Sequence, residues 1–216
     1  MMISRENVHK LYLLTCAGLI LTGVIMGITS DGYLQLHRLR SFTYQSNLTM
    51  VFGFLTMVVL YKNENQLRLY VLSNVLLITT VTGLVYNFVL VPFADAPVFH
   101  TDYVNFSTHV LVTLLALLNY FAFEEKGLLR YKHFLTGLIF PIIYWTAFVI
   151  IGGNLDYFPY FFMNPYLIGW PLVLVWLWVL LSVFSGLGLM LLLHDRAMGK
   201  ALKILAARKN ISRKIK

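Results

Sequence analysis

The sequence predicts an all-helical membrane protein, a bundle of six transmembrane helices with both termini in the cytoplasm. Three observations lead to this fold class. Of the 216 residues, 59% are hydrophobic and 12% are charged, whereas a soluble domain carries about 25% charged residues. The apolar residues fall into six long stretches, and Lys and Arg lie almost entirely on one side of them.

Each stretch approaches the roughly 20 apolar residues with which a helix crosses a bilayer. Helices are expected because lipid cannot hydrogen-bond an exposed main chain. In chain order the predicted spans are 11–29, 42–61, 69–91, 105–123, 133–152 and 166–193. The connections are too short for a second domain. We therefore divide the chain into a six-helix transmembrane domain, 1–195, and a basic cytoplasmic tail, 196–216.

The positive charges predict the orientation. With six spans, 15 of the 17 Lys and Arg residues lie on the side of the two termini, and only Arg38 and Arg40 lie on the other. Because cytoplasmic loops are the ones enriched in Lys and Arg, both termini are expected in the cytoplasm. The tail combines its cations with apolar residues at helical spacing, which predicts a segment that binds anionic lipid.

The first span contains Gly23 and Gly27, a G-x-x-x-G pattern that predicts close helix packing. It also has small residues near its end, as a cleaved signal peptide would. The even number of spans, which the charges require, favours retention of this helix. Cys16 is the only cysteine, so neither an intramolecular disulfide nor a cysteine-based metal site is expected.

The second span begins with polar residues. Thr43, Ser46 and Asn47 fall at positions i, i+3 and i+4, so they share one face of a helix, and Gln45 points elsewhere. Arg40 stands three residues before Thr43. If the helix already includes Arg40, its guanidinium shares that face and can reach outward to the interface.

The fourth span carries the one histidine that lies within a predicted span. His109 shares its helix face with Asn105 and Thr113, at four-residue spacing. An ionisable group inside the membrane is a functional hypothesis by default. We expect this polar face to pack against that of the second span and to enclose a small polar pocket near the outer surface.

The remaining histidines and the outer aromatic residues have structural interpretations. His9, His133 and His194 lie at cytoplasmic helix ends, where they are expected to reach water. Tyr160, Tyr166 and Trp170 are expected to form an aromatic belt at the outer interface.

Thr43 and His109 together predict a nucleophile and its base. A threonine hydroxyl attacks a carbonyl only when a base takes its proton, and histidine is the usual base. Gln45, Ser46 and Asn47 are the predicted substrate and oxyanion contacts. The orienting residues predicted for the histidine are Asn105 and Asp102.

Three other interpretations stay open at this point. The polar faces can form a plain interhelical network, or they can hold a ligand in a binding or transport protein without chemistry. A metal site of His100, Asp102 and His109 has no known spacing signature. We therefore predict no metal, no cofactor and no nucleic-acid partner.

Three motifs resemble one known family. F-T-Y-Q-S-N-L opens the second span, H-V-L-V-T-L-L-A-L-L-N-Y-F-A-F starts at His109, and Y-F-P-Y-F-F occupies 157–162. Their order and spacing resemble the prokaryotic branch of the androgen-induced protein family of six-span membrane proteins, over about residues 10 to 195. The chain departs from the pattern of many bacterial relatives at Thr113, Asn119 and Tyr120.

The resemblance implies a function and a location. Animal members of that family are threonine hydrolases that cleave fatty acid esters of hydroxy fatty acids within the membrane. The threonine and histidine that they use map to Thr43 and His109. The expected substrate is thus a membrane lipid ester, and the expected location is the bacterial plasma membrane. Because such an ester also carries a free carboxylate, the resemblance implies that Arg40 can bind it.

Overall fold

The computed structural model describes residues 4–29, 32–61, 66–93, 102–155 and 157–214. Within these ranges the chain forms helices and loops and no strand. Six long helices follow one another in the described ranges: α1 Arg5–Ile28, α2 Phe42–Val59, α3 Gln66–Leu90, α4 Tyr103–Phe123, α5 Tyr131–Leu155 and α6 Trp170–Lys214.

Five helices of the described chain are long and apolar enough to cross a membrane, namely all of these except α2. Helix α2 has 18 residues, which is close to the shortest length that spans a bilayer, and its first turns are polar. Each of the six predicted stretches corresponds to one helix. The all-helical prediction is therefore confirmed for the described residues, and their apolar helices fit a membrane bundle.

Helix α6 is much longer than predicted. It runs without interruption for 45 residues, which at about 1.5 Å per residue is roughly 68 Å. That length is about twice the apolar thickness of a bilayer. The basic tail from residue 196 thus continues α6 instead of forming a separate element, and its side chains are exposed from Lys200 to Lys209.

Two apolar clusters hold the bundle together. The larger one lies mainly among α1 to α4 and includes Leu13, Phe54 and Leu76, all fully buried. The smaller one is aromatic and joins α5, α6 and the loop between them, with Trp145 and Phe162 as members. This aromatic cluster forms a wall of the candidate site described below.

The two glycines of the G-x-x-x-G pattern in α1 receive side chains from neighbouring helices. A Cβ atom at Gly23 would overlap Ser107 of α4, and one at Gly27 would overlap the hydroxyl of Tyr44 on α2. The close packing predicted from the G-x-x-x-G pattern is confirmed, because any larger residue would push α1 away from these partners.

A buried polar network lies at the end of the bundle that carries the chain termini. The carboxylate of Glu124 accepts from both terminal nitrogens of Arg68, at 2.7 and 2.8 Å. His9 Nε2 lies 2.8 Å from Asn119 Oδ1. His9 and His133 are 2% and 0% exposed. The prediction that these two histidines reach water is wrong, because each binds polar groups inside the bundle.

Candidate functional site

Thr43 and His109 contact each other. Thr43 lies in the first turn of α2 and His109 lies on α4, and Thr43 Oγ1 is 3.2 Å from His109 Nε2. The two residues are 7% and 8% exposed, so bulk water is largely excluded from the pair. This distance is within the reach needed for proton transfer between a hydroxyl and a base.

The other nitrogen of the imidazole fixes its protonation. His109 Nδ1 is 3.0 Å from the main-chain carbonyl oxygen of Asn105. A carbonyl oxygen only accepts, so Nδ1 carries the proton and Nε2 faces Thr43 with its lone pair. Asn105 therefore orients the histidine through its main chain rather than through the side chain that the sequence singled out.

Asp102 was predicted to orient His109, but its side chain caps a helix instead. Its carboxylate accepts from the main-chain N–H of Val104 at 3.0 Å and caps the start of α4. An acidic side chain at a helix N-terminus is stabilising there. His100, which completed the metal interpretation, lies outside the described residues.

The site lies beside two irregular helical turns. The chain is π-helical at Tyr86–Leu90 in α3 and at Phe106–Leu111 in α4, and such turns are frequent at functional sites. The ring of Tyr86 stacks on the imidazole of His109, with centroids 3.6 Å apart and planes 16° apart. Helix α3 thereby holds the plane of the histidine ring.

Close approach of α3 to α4 depends on Gly83. A Cβ atom there would lie 2.9 Å from the carbonyl oxygen of His109 and 2.5 Å from Thr113 Oγ1. Thr113 Oγ1 in turn donates to the carbonyl of Thr79 on α3, at 2.8 Å. The predicted polar face of α4 thus binds α3 through Thr113 as well as α2 through His109.

Ser46 and Asn47 position Thr43. Both donate to the carbonyl oxygen of Thr43, at 2.9 and 2.7 Å. The Asn47 amide also donates to the carbonyl of Thr108 on α4, at 2.9 Å. Thr82 of α3 donates to Ser46 Oγ at 3.2 Å. The side chains predicted to contact substrate instead tie the Thr43 turn to its neighbouring helices.

Gln45 points away from Thr43. Its amide donates to the main-chain carbonyls of Leu39 and Arg40, at 3.2 and 3.5 Å. The amides of Gln45 and Asn47 were predicted to bind the oxyanion, but both donate to main-chain carbonyls instead.

Arg40 lies outside α2, so the condition under which it would share the helix face of Thr43 is not met. The chain is a 3-10 helix over Leu36–Arg40, and Ser41 is extended and caps α2, accepting from the N–H of Tyr44. Serine is a favoured helix cap because its oxygen binds an otherwise unpaired N–H. The Arg40 guanidinium lies 5.6 Å from the centre of the Tyr157 ring.

An apolar cavity opens beside Thr43, bounded by α2, α3, α5, α6 and the loop before α6. Its open space, counted together with the solvent at its mouth, is about 610 Å³. Most of the described residues that line the cavity are apolar. Four of them carry hydroxyls: Thr43, Thr82, Tyr144 and Tyr160. The faces of α2 and α4 that were predicted to enclose a polar pocket hydrogen-bond to each other directly. A polar pocket lies next to them, with Tyr44 of α2 and Asn105 of α4 in its lining.

Tyr160 belongs to the site, although the sequence placed it in an aromatic belt. Its hydroxyl lies 3.5 Å from Thr43 Oγ1. The two residues are 117 positions apart, and no helical spacing connects a loop residue with a helix so distant in the chain. The only signal was the aromatic Y-F-P-Y-F-F motif itself.

Comparison of the chain with protein-family profiles, with curated proteins and with solved structures gives no match in any of the three.

Proposed function

We propose that the chain is a membrane-embedded hydrolase of lipid esters, with Thr43 as nucleophile and His109 as base. The observation that carries this proposal is the 3.2 Å contact between Thr43 Oγ1 and the unprotonated Nε2 of His109. A hydroxyl with a base in reach is the arrangement that nucleophilic catalysis requires. The cavity beside it is lined mainly by apolar side chains, which suit a hydrocarbon chain.

The chemistry follows from these positions. Thr43 Oγ1 attacks the ester carbonyl carbon while its proton moves to His109 Nε2. The tetrahedral intermediate then breaks the bond to the alcohol oxygen, which leaves with the proton from His109. Water, deprotonated by the same nitrogen, attacks the acyl–threonine ester, and the acid departs as Thr43 recovers its proton.

The proposed substrate is a fatty acid ester of a hydroxy fatty acid. Two features support this class: the apolar lining of the cavity and the resemblance to the androgen-induced protein family. The lipid enters sideways from the outer leaflet, so that one acyl chain fills the cavity. Its free carboxylate stays at the interface, where Arg40 is exposed.

The proposed topology has six spans, α2 included, with both termini in the cytoplasm of a bacterial plasma membrane. The positions of Lys and Arg support it, and the exposed cations of the tail then lie on the cytoplasmic side, where anionic headgroups attract them. A single cysteine added at the C-terminus of a Cys16→Ala chain should resist an impermeant thiol reagent in intact cells. Labelling from outside contradicts the orientation.

Turnover by purified variants tests the function. Thr43→Ala and His109→Ala should each abolish hydrolysis of a fatty acid ester, since one removes the nucleophile and the other its base, whereas Thr43→Ser should retain part. The matched control is Thr56→Ala, because Thr56 lies on the same helix and its hydroxyl donates to its own helix, at Phe52. Substantial turnover by Thr43→Ala would sink the assignment.

A second candidate is a lipid- or small-ligand-binding or transport protein without chemistry. The observation that favours it is that the Asn47 and Gln45 amides donate to main-chain carbonyls. These amides are therefore not available to bind an oxyanion in the way that the sequence predicted. In that case the wild-type chain binds a fatty acid ester and releases it unchanged.

A further inference from the structure

Ester cleavage through a tetrahedral intermediate needs a hydrogen-bond donor at the carbonyl oxygen, where negative charge develops. The amides of Asn47 and Gln45 already donate to main-chain carbonyls. The donors left beside Thr43 are the tyrosine hydroxyls that border the cavity and the main-chain groups of Phe42 and Thr43, which lie against the Tyr160 hydroxyl.

The tyrosine hydroxyls of the cavity differ in what they bind. Tyr144 donates its proton to the main-chain carbonyl of Arg40, at 2.9 Å. The Tyr160 hydroxyl lies 3.5 Å from Thr43 Oγ1. With the Thr43 proton directed at His109 Nε2, the Tyr160 hydroxyl can direct its own proton toward Thr43 Oγ1. A carbonyl carbon bonded to Oγ1 would bring its oxygen into the space that Tyr160 already faces.

Ring packing fixes the position of Tyr160. Its ring stacks on Phe162, with centroids 5.1 Å apart and planes 6° apart. Phe162 stacks in turn on Trp145 of α5, with centroids 5.9 Å apart and planes 12° apart. A donor held by such a wall needs little reorganisation during the reaction, which is what makes oxyanion stabilisation effective.

Partial burial also favours the form of Tyr160 that donates. Removal from water raises the pKa of its hydroxyl above the ordinary value for tyrosine, because a buried phenolate loses its hydration. The hydroxyl therefore carries its proton at neutral pH.

We propose that the Tyr160 hydroxyl is the oxyanion donor of this site and binds the carbonyl oxygen of the ester as Thr43 attacks. This inference rests on the proposed hydrolase function. It turns the loop between α5 and α6 into a catalytic element, and it explains how the site works with its side-chain amides occupied elsewhere.

A pair of substrates tests this role, a p-nitrophenyl acyl ester and the matching thionoester, whose C=S group accepts hydrogen bonds poorly. Tyr160→Phe keeps the ring and removes the donor. We expect kcat for the oxygen ester to fall about 100- to 1,000-fold, with KM little changed. The loss for the thionoester should be much smaller. Tyr166→Phe, which removes an exposed hydroxyl from the same region, should leave both rates near wild type.

The outcomes separate the two proposals. If the wild-type chain cleaves neither ester, the hydrolase function fails and the role of Tyr160 fails with it. If the wild type is active and Tyr160→Phe keeps its rate, or loses equally on both esters, only the oxyanion role of Tyr160 is overturned.

A second variant guards against misfolding of Tyr160→Phe. 3-Fluorotyrosine in place of Tyr160 preserves the ring and lowers the pKa of the phenol. The alkaline loss of kcat should then begin at a lower pH than in the wild type. An unchanged pH profile contradicts the role of the hydroxyl.

Discussion

A hydroxyl beside an imidazole becomes reactive only when the imidazole presents its lone pair. The Asn105 carbonyl, 3.0 Å from His109 Nδ1, fixes that tautomer without a carboxylate. A main-chain acceptor stays neutral at every pH, so it orients the ring without adding charge to a buried site. The two main-chain bonds of Asn47, to Thr43 and to Thr108, set the distance between nucleophile and base in the same way.

At the scale of single residues, Arg40 offers a test of substrate recognition. Arg40→Ala should weaken hydrolysis of carboxylate-bearing esters more than hydrolysis of their methyl esters, because the guanidinium attracts only the charged form. Exposed ion pairs contribute up to about 1 kcal/mol, so we expect a difference of about fivefold in kcat/KM. Equal losses on both ester types would show that Arg40 is structural and that charge is not recognised.

At the scale of the helices, the start of α2 and the π-helical turns of α3 and α4 determine where the site residues lie. Ser41 ends one helix and caps the next, which separates Arg40 from the helix that carries Thr43. A serine before an apolar run is a known cap signal, so this boundary was available in the sequence. The π-helical turns were not, because they depend on how α3 and α4 pack around Tyr86 and His109.

Gly83 tests the contact between α3 and α4. A methyl group there would press on the His109 carbonyl oxygen, and main chain cannot rotate away as a side chain can. Gly83→Ala should therefore shift His109 from Thr43 and lower kcat by about tenfold or more, since small displacements of catalytic groups are costly.

The matched control for that change is Gly186→Ala, whose Cβ would meet no atom within 4 Å. Both substitutions put alanine in place of glycine in a helix, so they share any gain in helix propensity. Equal activities of the two variants would mean that close packing of α3 against α4 does not position the histidine.

Over the whole molecule, polar groups gather at the two ends of an apolar bundle. Thr43, His109 and Tyr160 lie at one end, and His9, Glu124 and Arg68 lie at the other. In the second group, Glu124 pairs with Arg68, and the Glu124 side chain is 2% exposed. None of these three residues lines the cavity described beside Thr43. We therefore assign this group to stability rather than to chemistry.

Glu124→Gln tests that assignment. It leaves the Arg68 guanidinium without its countercharge, which costs about 3–5 kcal/mol in a buried pair. At about 2–4 °C per kcal/mol for a chain of this length, the midpoint of thermal unfolding should fall by about 6 °C or more. Glu125→Gln changes the exposed neighbouring carboxylate and should leave the midpoint near wild type. Similar midpoints for both variants would contradict a structural role for the network.

Sequence patterns predicted the parts of this molecule that depend on local spacing. Apolar length predicted six helices, and helical spacing selected Thr43 and His109, which contact each other. The sequence did not predict Tyr160 as a site residue, because its approach to Thr43 depends on how a distant loop folds over the bundle. The position of the cavity was not predicted either. Thr43 and Asn47 of α2 hydrogen-bond directly to α4, and the open space lies among apolar side chains that carry no distinctive sequence pattern.

The most direct test is to locate the acyl group during turnover. The wild-type chain is mixed with a p-nitrophenyl acyl ester, quenched in acid within the first turnovers and digested, and the peptides are analysed by mass spectrometry. We predict one acyl group on the peptide containing Thr43, with fragments that place it on that residue, and none on the Thr43→Ala chain. Ester cleavage by a wild-type chain that carries its acyl group on another residue would contradict the assignment of Thr43 as the nucleophile.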